Sequence, residues 1–233
     1  MPKRSFNAAS VTPDELGAQL YAEAARKNPD LRRMKTLIAA GANIEYRGDQ
    51  NYTPLLAAVG KQNVDAAALL IDNGADKYVR AGEMAPMFYA IALYHLDMVK
   101  MLLDKGVDPE RDVYKGGLTA LMWAANFGKK NLADELARRG GDVNRINPND
   151  GKAAPDYAED NLKPHIAKSL RRIDTEKKDL AIQEERAEKD RAEQQRLAAE
   201  KAALDAECDA GLPLKGSVKV MRPLSLARPA AKI

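Results

Sequence analysis

The chain has few of the residues that mark secreted, metal-binding and membrane-spanning proteins. Its 233 residues include one cysteine, Cys208, which excludes an internal disulfide and a metal site built from cysteines. No apolar run approaches the roughly 18 residues that a membrane-spanning helix needs, and the first residues lead into polar sequence rather than an apolar signal core. We therefore expect a cytoplasmic protein, with export by a route without a cleavable signal peptide as the alternative.

The chain also lacks the patterns that catalysis requires. It has no glycine-rich phosphate loop, no cluster of Cys and His ligands and no nucleophile elbow, and its two histidines, His95 and His165, lie far apart in the sequence. The net charge of +3 is too small to indicate an acidic partner for the whole chain. The sequence predicts a protein that is not an enzyme and that uses no cofactor and no metal.

What the chain does have is a repeat of about 33 residues. Four glycines recur at this spacing, each at the end of an apolar helical run: Gly41, Gly74, Gly106 and Gly140. Glycine in this position is typical of a left-handed cap that ends a helix. A helix-start marker precedes the last three by 21 residues, as Thr53-Pro54, Ala85-Pro86 and Thr119-Ala120, with a worn copy at Ala153-Ala154-Pro155. Threonine caps a helix N-terminus, and proline fits its first turn.

These markers resemble the ankyrin repeat, whose hallmark is T-P-L-H-x-A in a period of about 33 residues. The second copy reads Thr53-Pro54-Leu55-Leu56-Ala57-Ala58 and lacks the histidine. The glycine between the two helices of a repeat is Gly128 in one copy but Gln62 and Tyr94 in two others. The resemblance covers residues 14–174 and implies an all-α solenoid of paired antiparallel helices with β-turn fingers, followed by a long charged helix.

The predicted organisation has four parts. A flexible leader, an ankyrin-repeat domain, a charged helix and a basic proline-containing tail are expected at residues 1–13, 14–174, 175–209 and 210–233. The repeats of the second part are expected at residues 14–50, 51–83, 84–116, 117–150 and 151–174.

The two C-terminal parts leave several interpretations open. Half of the heptad seam between residues 174 and 207 is polar, which favours a solvated helix with pairs such as Glu185 and Lys189 over a coiled coil. Self-association through residues 175–207 remains the alternative. The tail has five cations and no acid, so attachment to nucleic acid or to a membrane is a further alternative partner interaction.

The resemblance also implies where a partner binds. Ankyrin arrays present a concave groove made of the fingers and the inner helices, and five apolar residues fall on groove positions of adjacent repeats: Tyr52, Met84, Leu93, Leu118 and Phe127. An exposed apolar patch of this kind usually marks an interaction surface. Arg80 and Lys115 in the fingers are expected to add a basic rim that steers the partner.

Larger side chains near this face are expected to belong to the core. Tyr89, Trp123 and Tyr157 occupy the inner-helix position where ankyrin repeats place a core leucine, while Ala57 leaves room there for a larger neighbour. The sequence thus predicts a non-enzymatic protein–protein interaction module that acts as an adaptor, an effector or a neutralising partner. The alternative is a scaffold or tether that attaches to an acidic surface, nucleic acid or a membrane through the helix and the basic tail.

Overall fold

The computed structural model describes residues 11–209, and within them the chain is all-helical, as predicted. Named strands are absent from this part, and two isolated β-bridges join Ala81 to Met84 and Tyr114 to Leu118 in the fingers. The α-helices are α1 Pro13–Ala24, α2 Leu31–Ala39, α3 Pro54–Gly60, α4 Val64–Asp72, α5 Pro86–Ala92, α6 Leu96–Asp104, α7 Ala120–Asn126, α8 Lys130–Arg138, α9 Ala154–Asp160 and α10 Pro164–Asp209, with a short 3₁₀ turn at Asp49–Asn51.

The helices begin where the capping residues predicted. Thr53 accepts a hydrogen bond from the backbone N–H of Leu56 at 3.4 Å, and Thr119 accepts one from that of Met122 at 3.2 Å. Proline follows the cap in α3 and α5, where its missing N–H costs nothing because that group has no partner within the helix. His95 caps α6 through its Nδ1, which accepts a hydrogen bond from the N–H of Met98 at 3.0 Å. One of the two histidines therefore has a structural role.

The outer helix of each of the first four repeats ends at one of the four glycines. All four have positive φ, from 70° at Gly106 to 119° at Gly140. In each case the residue after the glycine donates its N–H to a carbonyl five residues back, for example from Ala75 to Leu70 at 3.0 Å and from Val107 to Leu102 at 3.0 Å. This is the Schellman arrangement, and it satisfies carbonyls that the helix end would otherwise leave without a donor.

The repeats stack in two rows. The first helix of each repeat forms the inner row, in which α1, α3, α5, α7 and α9 contact their neighbours in that order. The second helices form the outer row of α2, α4, α6 and α8. A continuous apolar core lies between the rows and includes Leu20, Leu55, Phe88, Leu121 and Ile166. Each repeat buries its apolar face only against its neighbours, which is why such units are stable as an array.

The last outer helix and the predicted charged helix are one element. α10 runs without a break through the predicted boundary at residue 174, and the division between the two compact units of the chain falls after Asp179. Its first turns belong to the array, since Ile166, Leu170 and Ile173 are buried in the core.

In the second unit, the described part of α10 is exposed along its length, including Leu180 and Leu197 at 56% and 54%. The predicted pair forms, with Lys189 Nζ 2.7 Å from Glu185 Oε1. Self-association of this helix stays a prediction. The predicted tail at 210–233 and the first ten residues of the predicted leader lie outside the described residues.

Candidate functional site

Three of the predicted groove residues lie on the inner row with part of their surface free. Leu93 and Phe127 are the C-cap residues of α5 and α7, and their side chains are 36% and 57% exposed. Tyr52 precedes the cap of α3 and is half-buried. The first two occupy equivalent positions one repeat apart, so the apolar surface they form follows the direction in which the repeats stack.

Met84 and Leu118 have a different environment. Both are half-buried and pack against the core, and each lies in the β-bridge of its finger. Met84 exchanges two backbone hydrogen bonds of 3.2 Å with Ala81, while Leu118 accepts one of 2.8 Å from Tyr114. Much of the surface of these two side chains therefore serves the packing of the fingers on the helices.

The finger arginines connect neighbouring fingers. The guanidinium of Arg47 donates to the carbonyl of Arg80 at 2.9 Å, and that of Arg80 donates in turn to the carbonyl of Val113 at 2.7 Å. Lys115, the other predicted rim residue, is exposed. The sequence interpretation of Arg80 as a steering charge thus overlooked its role in holding adjacent fingers together.

An aromatic cluster supports Phe127. The ring of Trp123 stacks on Tyr114 with centroids 4.8 Å apart and an interplanar angle of 18°, and Phe88 lies 5.5 Å from it on another side. Phe127 packs edge-on against Trp123 at 5.5 Å and 87°. A cavity of about 260 Å³ lies here, with Lys129 among its lining residues. Buried aromatic neighbours hold the exposed ring in place, as is typical of an interface anchor.

A larger cavity lies over α3 and is lined by residues of the first three repeats, and we call it the tyrosine pocket. It has a volume of about 430 Å³ and opens to solvent. Three phenol rings from three separate elements line it, together with an acid, a lysine and apolar side chains; the polar and aromatic members are Tyr21, Asp49, Gln50, Tyr52, Lys61 and Tyr89.

Small residues in α3 create this pocket. The inner-helix position that holds Tyr89, Trp123 and Tyr157 in the later repeats holds Ala57 in the second, and Gly60 follows three residues later on the same helix. Both line the cavity. The sequence therefore predicted the free space correctly, and the space is shared between the neighbouring tyrosine and solvent.

A second glycine, Gly48, lets the ring of Tyr21 take its place in the pocket. A Cβ at Gly48 would lie 2.5 Å from Cε1 of Tyr21, a distance that real Cβ atoms essentially never show. The absence of a side chain at Gly48 lets the ring of Tyr21 pack directly on the backbone of the first finger.

Burial and hydrogen bonding raise the pKa values of two of the pocket tyrosines. The hydroxyls of Tyr52 and Tyr89 lie 2.6 Å apart, and this hydrogen bond, together with burial, raises the pKa of Tyr89 to about 12. Burial and the nearby carboxylate of Asp49 raise the pKa of Tyr21. Its hydroxyl donates to the backbone carbonyl of Asp49 at 3.4 Å. The pocket thus presents several oxygen atoms and one carboxylate.

Comparison with known proteins identifies the fold family. Ankyrin repeats match residues 22–113 as three copies and residues 116–148 as a further copy, which together cover more than half of the chain. The chain belongs to the ankyrin-repeat family. Ankyrin repeats are generally protein–protein interaction modules and are generally non-enzymatic, so the site is a candidate binding surface.

Individual relatives are distant and longer. The chain is 27% identical over 147 residues to a putative ankyrin repeat protein of Acanthamoeba polyphaga mimivirus, a match that covers 63% of this chain and 45% of the relative. It is 33% identical over 117 residues to an ankyrin repeat and KH domain-containing protein of Caenorhabditis briggsae, covering 47% of this chain and 4% of the relative. The chain therefore spans less than half the length of either relative.

Five of the six polar and aromatic pocket residues of this ankyrin array were not predicted as site residues, among them Tyr89 and Asp49. Tyr89 was expected in the core, yet it is half-buried and lines the cavity. Asp49 is a polar finger residue among several, and nothing local in the sequence distinguishes it. The usable signal was the pairing of Ala57 and Gly60 on one helix, because two small residues on a face that is bulky in other repeats leave a cavity.

The described residues contain no group of three or more His, Cys, Asp or Glu side chains that are placed to hold a metal ion. No helix of residues 11–209 is long and apolar enough to cross a bilayer.

Proposed function

We propose that the ankyrin array binds a partner protein in the groove between its fingers and its inner helices, over the second to fourth repeats. The observation that supports this proposal is a row of partly exposed apolar and aromatic side chains along successive repeats, at Tyr52, Leu93 and Phe127. Each comes from a different repeat, so together they favour an extended ligand that contacts several repeats at once.

The arrangement has the physical features of a protein-binding surface. Aromatic residues are enriched in the cores of interfaces, and an anchor held by buried neighbours loses little conformational entropy on binding. Phe127 meets this condition because Trp123 supports its ring. Small cavities on both sides of α5 provide space into which side chains of a partner insert. The groove acts by shape and surface chemistry, and no reaction is assigned to it.

A charge introduced into this surface tests the proposal. Proteins captured from a lysate are identified by mass spectrometry, and the affinity of each purified candidate for the full chain is then measured by calorimetry. The double substitution Leu93→Asp with Phe127→Asp is expected to weaken binding of the true partner at least about tenfold, since two apolar contacts of roughly 1–2 kcal/mol each are lost.

The control is Leu197→Asp, which places one such charge on a leucine of α10 that is 54% exposed, close to the 57% of Phe127. It is expected to leave affinity unchanged, and neither variant is expected to shift the midpoint of urea denaturation by much. Equal affinity of the double variant and the unmodified chain would refute groove binding. Loss of binding with Leu197→Asp alone would favour attachment through the helix.

A further inference from the structure

We propose that the tyrosine pocket receives a cationic side chain, an arginine or a lysine, from the protein that the groove binds. The inference deepens the proposed function and rests on it, since it assigns one chemical feature to the partner. It is based on the aromatic lining of the pocket, on the charge at its finger end and on the apolar surface beneath.

Three phenol groups form the walls. Tyr21 comes from α1, Tyr52 from the segment before α3 and Tyr89 from α5, so the rings surround the cavity from three directions. Aromatic side chains attract ammonium and guanidinium groups through the negative potential of the ring faces. One hydroxyl of the Tyr52–Tyr89 pair donates to the other, and the donating oxygen keeps its lone pairs available to the N–H groups of a ligand.

The ionised groups lie at opposite ends of the pocket. Asp49 lies in the first finger, and among the described residues no lysine or arginine nitrogen is within 4.0 Å of its carboxylate. Lys61 is the C-cap of α3, at the far end of a seven-residue helix. At 1.5 Å of rise per residue the two ends of this helix are separated by roughly 10 Å. Of the charged side chains that line the pocket, the acid therefore lies at the finger end and the lysine at the other.

Apolar surface completes the pocket. Leu56, Ala57 and Leu93 line it together with the polar groups. Arginine and lysine bury the methylene stem of the side chain against such surface while the charged group finds polar contacts. An acidic side chain would instead place its charge near Asp49, and a purely apolar one would offer the carboxylate no donor.

The test uses the full chain with ¹³C-labelled tyrosine rings and three small probes, the Nα-acetyl methylamides of arginine, glutamate and leucine. NMR titration follows the ring signals. The arginine probe is expected to shift the signals of Tyr21, Tyr52 and Tyr89 in a saturable way, with the buried ring of Tyr157 as the internal reference that does not shift. No saturable shift, or equal shifts with the leucine probe, would overturn the proposal.

Two charge substitutions show whether the pocket prefers a cationic or an anionic side chain. Asp49→Asn is expected to weaken binding of the arginine probe about fivefold, and Lys61→Met is expected to strengthen it about twofold, because one removes attraction and the other removes repulsion. Both positions are exposed, so both variants are expected to fold. Preference for the glutamate probe with the opposite signs would show an anionic ligand and overturn the proposal.

One further variant distinguishes the cation pocket from the groove binding on which it rests. Phe127 lies outside the tyrosine pocket, so Phe127→Asp is expected to leave the affinity for the arginine probe unchanged while it weakens binding of the partner protein. If the arginine probe does not bind but Phe127→Asp still weakens binding of the partner, the cation pocket is rejected and the groove is retained. Probe binding without any effect of Phe127→Asp on the partner would retain the cation pocket and reject the groove.

Discussion

The junction of the second and third repeats is open, whereas that of the fourth and fifth is filled. Both junctions are built from inner helices of the same length and capping pattern. At the first, Ala57 faces a cavity and the hydroxyl of Tyr89 meets Tyr52. At the second, Tyr157 fills the equivalent position and is only 7% exposed. One position of the repeat, with different side chains, thus makes either an open cavity or a packed core.

The hydroxyl groups show the same contrast. Tyr157 donates to the carboxylate of Asp150 at 2.6 Å and accepts from the amide of Asn147 at 2.6 Å. Asn147 is 2% exposed and donates also to the carbonyl of Gly116 at 2.9 Å. At the closed junction the polar group is part of a satisfied network, while at the open junction it remains accessible to solvent and ligand. The same position of the repeat thus completes a buried network in one place and lines an open cavity in another.

Emptying this position in the fourth repeat, where a tryptophan fills it, is expected to have the largest effect. Trp123→Ala gives the fourth repeat the residue that the second repeat has at Ala57, but without neighbours adapted to it. Loss of a buried aromatic side chain costs about 3–5 kcal/mol in the free energy of unfolding. Urea denaturation followed by far-UV circular dichroism measures it, since the chain has a single tryptophan and the variant has no indole fluorescence.

Phe127→Ala serves as the control, because Phe127 is 57% exposed and contacts the same tryptophan. We expect it to cost less than about 1 kcal/mol. Similar losses of unfolding free energy in the two variants would show that Trp123 is packed no more tightly than the exposed Phe127. The contrast between open and packed repeats would then be wrong.

Removal of a single hydroxyl group is also expected to destabilise the filled junction more than the open one. Tyr157→Phe leaves the buried amide of Asn147 with one acceptor fewer, at a cost of about 1–2 kcal/mol. Tyr89→Phe is expected to cost less than about 0.5 kcal/mol, because water reaches the hydroxyl of Tyr52 in the open pocket. Chemical denaturation at pH 7 measures both, and equal costs would contradict this expectation.

The pH dependence adds a check on Tyr157. Burial, followed by the hydrogen bond to Asp150, raises the pKa of Tyr157 to about 12, above the value of 10.0 for an unperturbed tyrosine. The stabilisation that accompanies this shift is complete below pH 10 and is lost as the pH rises from 10 to 12. The decrease in unfolding free energy over this range is expected to be smaller in Tyr157→Phe than in the unmodified chain.

The sequence predicted the fold in more detail than the site, for a physical reason. Caps such as Thr53 and terminators such as Gly74 act within one or two turns, so their effect can be inferred locally. The tyrosine pocket depends on three rings from separate elements and on how far each side chain is buried. Periodicity indicates which face a residue occupies, but Tyr89 is on the correct face for either role, and only its neighbours decide.

The turns between the helices of a repeat provide the smallest expected effect and the sharpest control on the comparison. Gln62 follows the open-junction helix α3 and Leu162 follows the closed-junction helix α9, and both have left-handed backbone with φ of 63° and 58°. The fourth repeat has Gly128 there, with φ of 69°. A left-handed conformation costs a side-chain-bearing residue about 1–2 kcal/mol, and the greater freedom of glycine in the unfolded chain offsets part of any gain.

We therefore expect Gln62→Gly and Leu162→Gly each to stabilise the array by about 0.5 kcal/mol, and Gly128→Ala to destabilise it by about 1 kcal/mol. Paired urea denaturation curves are sufficient to measure the differences. Equal gains at the two turns would show that the repeats are equivalent there and differ in the inner-helix side chains. A gain at only one turn would mean that backbone strain also differs between the junctions, and the openness of the tyrosine pocket would then have a second cause besides Ala57 and Gly60.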